Sequence, residues 1–294
     1  MRIVRWIADD LPEPCFGLWI DDMIADAGTA EDLGLPPGAG AEALFARGAS
    51  ALMDLEGRAV TRTRRPRSEV RLLAPIVRPS KILAVGLNYS GHAEEQGLAP
   101  PEEPMLFLKP PSSIIGPEED IIIPPFVTHP DPEVELAFVI GRRAKGVRKE
   151  SALRFVAGYT VLNDFSARKL QKRDGQYGRA KGIDTFTPVG PCVVTKDELR
   201  DPQNLSIQLS VDGEVRQQDH TANMIHPVAE LVAFITAGIT LEPGDVIATG
   251  TPAGVGVHRN PRVFIESGQL IRCEIEGIGA LTNRAVRQEN GEDR

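Results

Sequence analysis

Pro132-Glu133-Val134-Glu135-Leu136-Ala137-Phe138-Val139-Ile140-Gly141 joins a run of strand-favouring apolar residues to two carboxylates at its start. Val134 and the unbroken stretch Leu136 to Ile140 are rich in β-branched and aromatic types, which suits a buried strand. Side chains at i and i+2 of a strand share a face, so Glu133 and Glu135 project together from one end. Two like charges there repel and are costly to desolvate. Either the strand end is solvated or a divalent cation relieves the pair. Oxygen-only ligands favour a hard ion, Mg2+, Mn2+ or Ca2+.

The remaining composition narrows the class. A chain of 294 residues can bury a substantial core, as one large domain or a large and a small one. A net charge of −8 argues against a general nucleic-acid binder and against attraction to anionic membranes. Cys15, Cys192 and Cys273 are odd in number and widely separated, which indicates neither a disulfide framework nor a cysteine zinc site. A reduced, cytoplasmic setting is expected. No run approaches the roughly 20 apolar residues of a membrane helix, and the N-terminus lacks a signal-peptide core. Abundant glycine and proline with few aromatics point to many turns and short strands.

Strands are predicted at Arg2 to Ile7 and Phe16 to Ile20, and a helix over Ala39 to Leu55, with Leu44, Phe45, Leu52, Met53 and Leu55 as candidate buried positions. Arg58 to Arg71 is arginine-rich and reads as a solvated connector. A small N-terminal domain over residues 1–72 follows, with a larger unit over 73–294. Lys81 to Gly86, Met105 to Lys109 and Asp120 to Ile123 are further strand candidates. Between the first two, His92 and Glu95 lie three apart and share a face on one helical turn. Gly91 and Gly97 bracket that turn, which suits a mobile lid, or equally a surface helix.

Tyr159 to Leu162 is apolar and ends in Asn163-Asp164; Ser166 to Lys172 looks helical. Asp164 is a third ligand for the ion or a helix N-cap. A helix starting near Asp164 would set Arg168 and Gln171 on its side. Lys181 sits in a polar loop. Leu205 to Val211 alternates and turns at Asp212-Gly213 into a hairpin. Val228 to Ile239 is the strongest amphipathic helix. Thr249-Gly250-Thr251-Pro252-Ala253-Gly254-Val255-Gly256 is a glycine-rich loop able to offer backbone N–H groups to an anion. It matches neither a Walker loop nor a Rossmann fingerprint. Alternating strands close the chain at Leu270 to Glu276 and Ala280 to Val286.

Ala84-Val85-Gly86-Leu87-Asn88-Tyr89, Phe107-Leu108-Lys109-Pro110-Pro111, Glu133-Val134-Glu135-Leu136, Asn163-Asp164-Phe165-Ser166-Ala167-Arg168, Glu242-Pro243-Gly244-Asp245-Val246-Ile247 and the 249–256 loop occur in this order. This ordered set resembles the fumarylacetoacetate hydrolase family, over roughly residues 73 to 287 and in its shorter bacterial form. The resemblance implies an α+β, strand-rich fold: a mixed β-sandwich roll with a small N-terminal domain, assembled as a homodimer. It implies Glu133, Glu135 and Asp164 as ligands of Mg2+ or Mn2+, His92 and Glu95 as a lid dyad, and Lys181 as an active-site lysine. Tyr89, Arg168, Gln171, Gly250 and Thr251 are then expected at the substrate. Pro132, Gly182 and His226 stand where the family more often has other residues. For His226 a packed imidazole at the start of a helix is the favoured reading.

The chemistry implied is a Lewis acid that chelates a 2-oxo acid and stabilises the adjacent enolate. The leading expectation is hydrolysis of a carbon–carbon bond in an acylpyruvate such as fumarylpyruvate. The alternative is isomerisation or decarboxylation of 2-hydroxy-diene or oxo diacids. A non-catalytic ligand-binding protein is the third reading, and metal-dependent turnover separates it from both enzymes.

Overall fold

The structure, a computed structural model, describes residues 1–289; the final residues of the expected 73–294 unit, 290–294, lie outside that range. Twelve strands form one mixed sheet. Its main path runs Arg64–Pro66, Met23–Thr29, Cys15–Ile20, Arg2–Ile7, Thr187–Thr195, Val156–Asn163, Val134–Ile140, Val246–Ala248, Ile82–Gly86 and Met105–Lys109. A five-stranded sheet, ordered Glu214–His220, Ser206–Val211, Leu270–Ile275, Gly279–Arg287 and Ile121–Ile123, packs on the central strands of the first. The many short strands expected from the glycine and proline content, and the mixed β-sandwich that the resemblance implied, are the architecture observed.

The quoted stretch lies at its middle. Val134–Ile140 is buried along its whole length and pairs antiparallel with both Val156–Asn163 and Val246–Ala248. Period-two alternation sends its side chains into two cores. Val134, Leu136, Phe138 and Ile140 pack in a core shared with Ile207, Leu209, Cys273 and Leu281 of the smaller sheet. Ala137 and Val139 face a second core built with Ile3, Phe16, Leu44 and Ile82. A strand covered on both faces must be apolar at every position, which is why its sequence does not alternate.

Three expectations change. The helix predicted over 39–55 is two helices, Ala41–Arg47 and Ala49–Thr61, broken at Gly48, whose φ of 79° belongs to the left-handed region. Leu44, Phe45 and Leu55 are buried, whereas Met53 is 72% exposed. The arginine-rich stretch is not a free connector. Its short strands Arg64–Pro66 and Arg71–Leu73 pair with Met23–Thr29 and Arg2–Ile7, burying Val70 and Leu72. Arg65 is bidentate to Asp10 and lies over the Trp6 ring, while Arg62 pairs with Asp32. The charges mask a short apolar alternation that a composition-based reading passes over.

Residues before 73 also do not build a sheet of their own. Arg2 and Ile3 pair with Val194 and Val193, so the first strand extends the sheet of the later segment. Among the described residues no helix is long and apolar enough to cross a membrane.

A chain beginning at residue 73 should lose much of its cooperative unfolding. It would expose the Thr187–Thr195 edge and the apolar face carrying Ile82, Ala137 and Val139. Urea denaturation with size-exclusion chromatography tests this; an unchanged midpoint and a clean single species would contradict it.

Candidate metal centre and active site

Strand register brings the acids together. Val134 pairs with Asn163, the Asp164 N–H donates to the Glu133 carbonyl (2.8 Å), and the Glu133 N–H donates to Asn163 Oδ1 (3.0 Å). The start of one strand and the end of its neighbour are thus latched, and Glu133, Glu135 and Asp164 converge. Each offers a carboxylate oxygen within 4.8 Å of the other two, and all three residues are buried. Metal–oxygen distances of about 2.1 Å for Mg2+ and 2.3–2.6 Å for Ca2+ put ligand oxygens within about 4–5 Å of one another. The donor set therefore fits one hard divalent ion.

Three buried cations surround this cluster. Lys109 Nζ donates to Asp164 Oδ1 (2.5 Å) and to the Phe186 carbonyl (3.1 Å). Lys181 Nζ donates to Glu133 Oε2 (2.7 Å) and Asp164 Oδ2 (2.5 Å). Arg168 is held by Asp131 at Nε (2.8 Å) and donates to Glu133 Oε1 and Gln171 Oε1. Burial opposes charge on Lys181, but Asp164 and Glu133 outweigh it and raise its pKa. For Lys109, burial dominates and lowers the pKa despite Asp164. Burial also opposes ionisation of Glu133, yet Arg168 and Lys181 hold its carboxyl well below the usual range. Glu135 has no cationic contact among the described residues. Burial, then Asp164 and Glu133, push its carboxyl well above the usual range. Without a cation beside it, Glu135 is the member of the triad driven toward its neutral form, and a bound divalent ion would favour its carboxylate.

The glycine-rich loop is organised around carboxylates of the protein itself. Gly250 N–H donates to Glu135 Oε2 (2.8 Å), Gly254 N–H to Glu95 Oε2 (2.9 Å), and Gly256 and Val257 N–H to Asp131 (2.8 and 3.1 Å). The anion-binding character read from the sequence is present, but these donors are already engaged. Gly250 accordingly supports the Glu135 carboxyl and does not line the cavity. Gly254 has φ 105°, and a Cβ there would stand 2.2 Å from the Arg216 carbonyl oxygen, so glycine is required.

On the short helix Ser90–Glu95, His92 Nδ1 contacts Glu95 Oε1 (2.5 Å). A carboxylate accepts, so the proton lies on Nδ1 and the lone pair is at Nε2. The Gln96 amide nitrogen lies 3.0 Å from that Nε2. The His92–Glu95 pair predicted from spacing is therefore formed, and the Gly254 contact docks it on the loop.

A cavity of about 410 Å³ opens over the cluster. Glu133, Glu135, Asp164, His92, Lys181, Arg168, Gln171 and Thr251 all line it, as do Met105, Phe107, Tyr177 and His258. Thr251 gives its hydroxyl hydrogen to the Val134 carbonyl and accepts from Gln217. Tyr89 differs from the expectation: it is fully buried and absent from the lining, and its hydroxyl has no hydrogen-bond partner among the described residues. Asn88 beside it ties three segments, donating to the His226 and Thr249 carbonyls and accepting the His226 N–H.

Other details depart from the sequence reading. The helix starts at Arg168 with Ala167 at its N-cap, so Asp164 does not cap it. Lys181 ends a short helix, Gly178–Lys181, not a loop. Gly182 has a packing reason, since a Cβ would meet Gly178 O and Pro110 Cδ, both at 2.4 Å. His226 is buried, bonded to Glu230 and the Pro101 carbonyl, and does not line the cavity. Lys109 and Asp131 were missed as site residues. Both had a signal: Asp131, Glu133 and Glu135 share one strand parity, as do Met105, Phe107 and Lys109.

Comparison with known proteins agrees with this geometry. Residues 81–286 match the model of the fumarylacetoacetate (FAA) hydrolase C-terminal domain. The chain is 42% identical to a mitochondrial oxaloacetate tautomerase of Rattus norvegicus, over 97% of this chain and 92% of that protein. The crystal structure of 2-hydroxyhepta-2,4-diene-1,7-dioate isomerase from Mycobacterium marinum superimposes with a TM-score of 0.76 at 38% identity, covering 99% of this chain and 100% of that one. Maleylpyruvate hydrolase from Sphingobium sp. SYK-6, solved with manganese(II) and pyruvate, gives a TM-score of 0.82 at 30% identity, over 98% of this chain and 100% of that one. The chain belongs to the fumarylacetoacetate hydrolase family.

Proposed function

We propose that this family enzyme uses a divalent ion, Mg2+ or Mn2+, to catalyse proton transfer at the carbon next to the keto group of a 2-oxo acid, as a tautomerase or isomerase. The observation that carries the reading is the His92 imidazole, backed by Glu95, lining the same cavity as the three buried carboxylates. Glu133, Glu135 and Asp164 would hold the ion. When bound, such an ion polarises the keto oxygen and stabilises the enolate.

The chain's own groups supply the rest. His92 removes or returns the proton through Nε2, and Glu95 keeps its other nitrogen protonated. Lys181 spends two of its three N–H donors on Glu133 and Asp164 and keeps one for a substrate oxygen. Gln171 gives its carbonyl oxygen to Arg168, leaving its NH2 group to donate to a carboxylate. For the Gln96 amide to leave Nε2, substrate must take its place, which couples binding to release of the base.

This shifts the emphasis from the carbon–carbon hydrolase expected first. Proton transfer needs one base and no attacking water, and relatives named as a tautomerase and an isomerase are 42% and 38% identical. Hydrolysis of an acylpyruvate stays as the second reading, favoured by the likeness to maleylpyruvate hydrolase. In that case His92 would take its proton from a water.

A turnover panel of oxaloacetate, a 2-hydroxy-diene dioate, acetylpyruvate and fumarylpyruvate, each with Mg2+ or Mn2+, chooses between them. Proton transfer without cleavage products is expected; pyruvate released from either acylpyruvate at the higher rate would move the assignment to hydrolase. Chelation should abolish turnover and Mn2+ should restore it. Glu135→Gln should weaken Mn2+ binding at least about tenfold by calorimetry; unchanged affinity would remove the triad from the scheme. His92→Ala should lower kcat by about 10²–10⁴-fold while Mn2+ affinity holds, and full activity in that variant would exclude it as the base.

A further inference from the structure

The cations around the cavity are unevenly used. Lys109, Arg168 and Lys181 are each bound to buried carboxylates. Beyond them, Arg173 and Arg179 share Asp174. Lys172 lines the same cavity, is exposed, and has no carboxylate within ion-pair distance among the described residues. It follows Gln171 on the helix Arg168–Asp174 and lies four residues after Arg168, so Arg168 and Lys172 share a helix face.

The same cavity has apolar lining beside the acidic cluster, with the Lys181 Nζ 5.3 Å from the centre of the Phe107 ring. Val85, Met105 and Phe107 line it, and the Tyr177 ring stands edge-on to Phe107 at 5.3 Å between centroids. The lining thus combines an acidic cluster, apolar side chains and a lysine with no ion-pair partner among the described residues. Its volume of about 410 Å³ exceeds what a small oxo acid needs.

We infer that Lys172 is a specificity-determining residue that binds a second carboxylate of the substrate, separated from the 2-oxo acid end by an apolar stretch lying on Phe107 and Met105. The inference rests on the 2-oxo acid reading above and adds the far end of the molecule. An oxo acid with its distal carboxylate too close to the keto group would not reach Lys172. One lacking that carboxylate would forgo the charge pair.

The test is calorimetric binding to the Mn2+-loaded full chain, using 2-oxoadipate and its monoacid counterpart 2-oxohexanoate. The unaltered protein should prefer the diacid by roughly 1.5- to fivefold, the range for a solvent-accessible ion pair. Added salt should shrink that preference. Lys172→Met should abolish the preference while leaving 2-oxohexanoate affinity unchanged, and Lys172→Arg should retain it. A preference that survives in Lys172→Met, or equal binding of both acids to the unaltered protein, overturns the role of Lys172 alone. Failure of both acids to bind the metal-loaded protein overturns the 2-oxo acid reading, and this inference with it.

Discussion

Burying carboxylates beside one another is the constraint on which this structure turns. Asp131, Glu133, Glu135 and Asp164 lie almost wholly out of solvent, and Lys109, Lys181 and Arg168 are the cations paired with them among the described residues. Four carboxyl groups face three cations, and Glu135, with no cationic contact among the described residues, is the one pushed toward its neutral form. An isolated buried carboxylate would cost several kcal/mol. The arrangement distributes that cost unevenly. Glu133 and Asp164 receive direct cationic donors, and Glu135 receives one backbone N–H. A divalent ion held by the three acids would offset the mutual repulsion that pushes Glu135 toward its neutral form.

The fold serves this cluster by making its backbone immobile. The acids sit where a strand buried along its whole length begins and its neighbour ends. Both cores close on that strand pair from opposite sides, one supplied by the smaller sheet and one by the N-terminal strands and helices. The N-terminal segment thus contributes to the site indirectly. It covers the face from which Glu135, Ala137 and Val139 project, and so keeps water away from the back of the cluster.

The sequence was legible where local periodicity and burial agree. The Glu133–Glu135 pair, the His92–Glu95 turn and most strands of the later segment follow from spacing and apolar pattern. Asp164 was legible only as an ambiguity, because a carboxylate after a strand reads equally as a cap. The register between two strands resolved it, and register is a tertiary property. Lys109 was hidden because a lysine at a strand end ordinarily means solvent. The arginine-rich stretch was misread for the opposite reason: its guanidinium groups fold back on Trp6, Trp19, Asp10 and Asp32 instead of pointing outward. Tyr89 was placed at the substrate by resemblance, whereas the turn at Leu87, with φ 56°, carries its ring into the core.

The loop over residues 249–256 has one further consequence. Its amides grip a carboxylate from the ion-binding triad at one end and the carboxylate behind the imidazole near the other. Between Gly250 and Gly254 there are only a few peptide units, so the two grips share one short tether. Any motion that lifts the Ser90–Glu95 helix must tug on the tether that steadies Glu135. Displacement of the Ser90–Glu95 helix and displacement of the Glu135 carboxyl are in this way mechanically linked through one short strap.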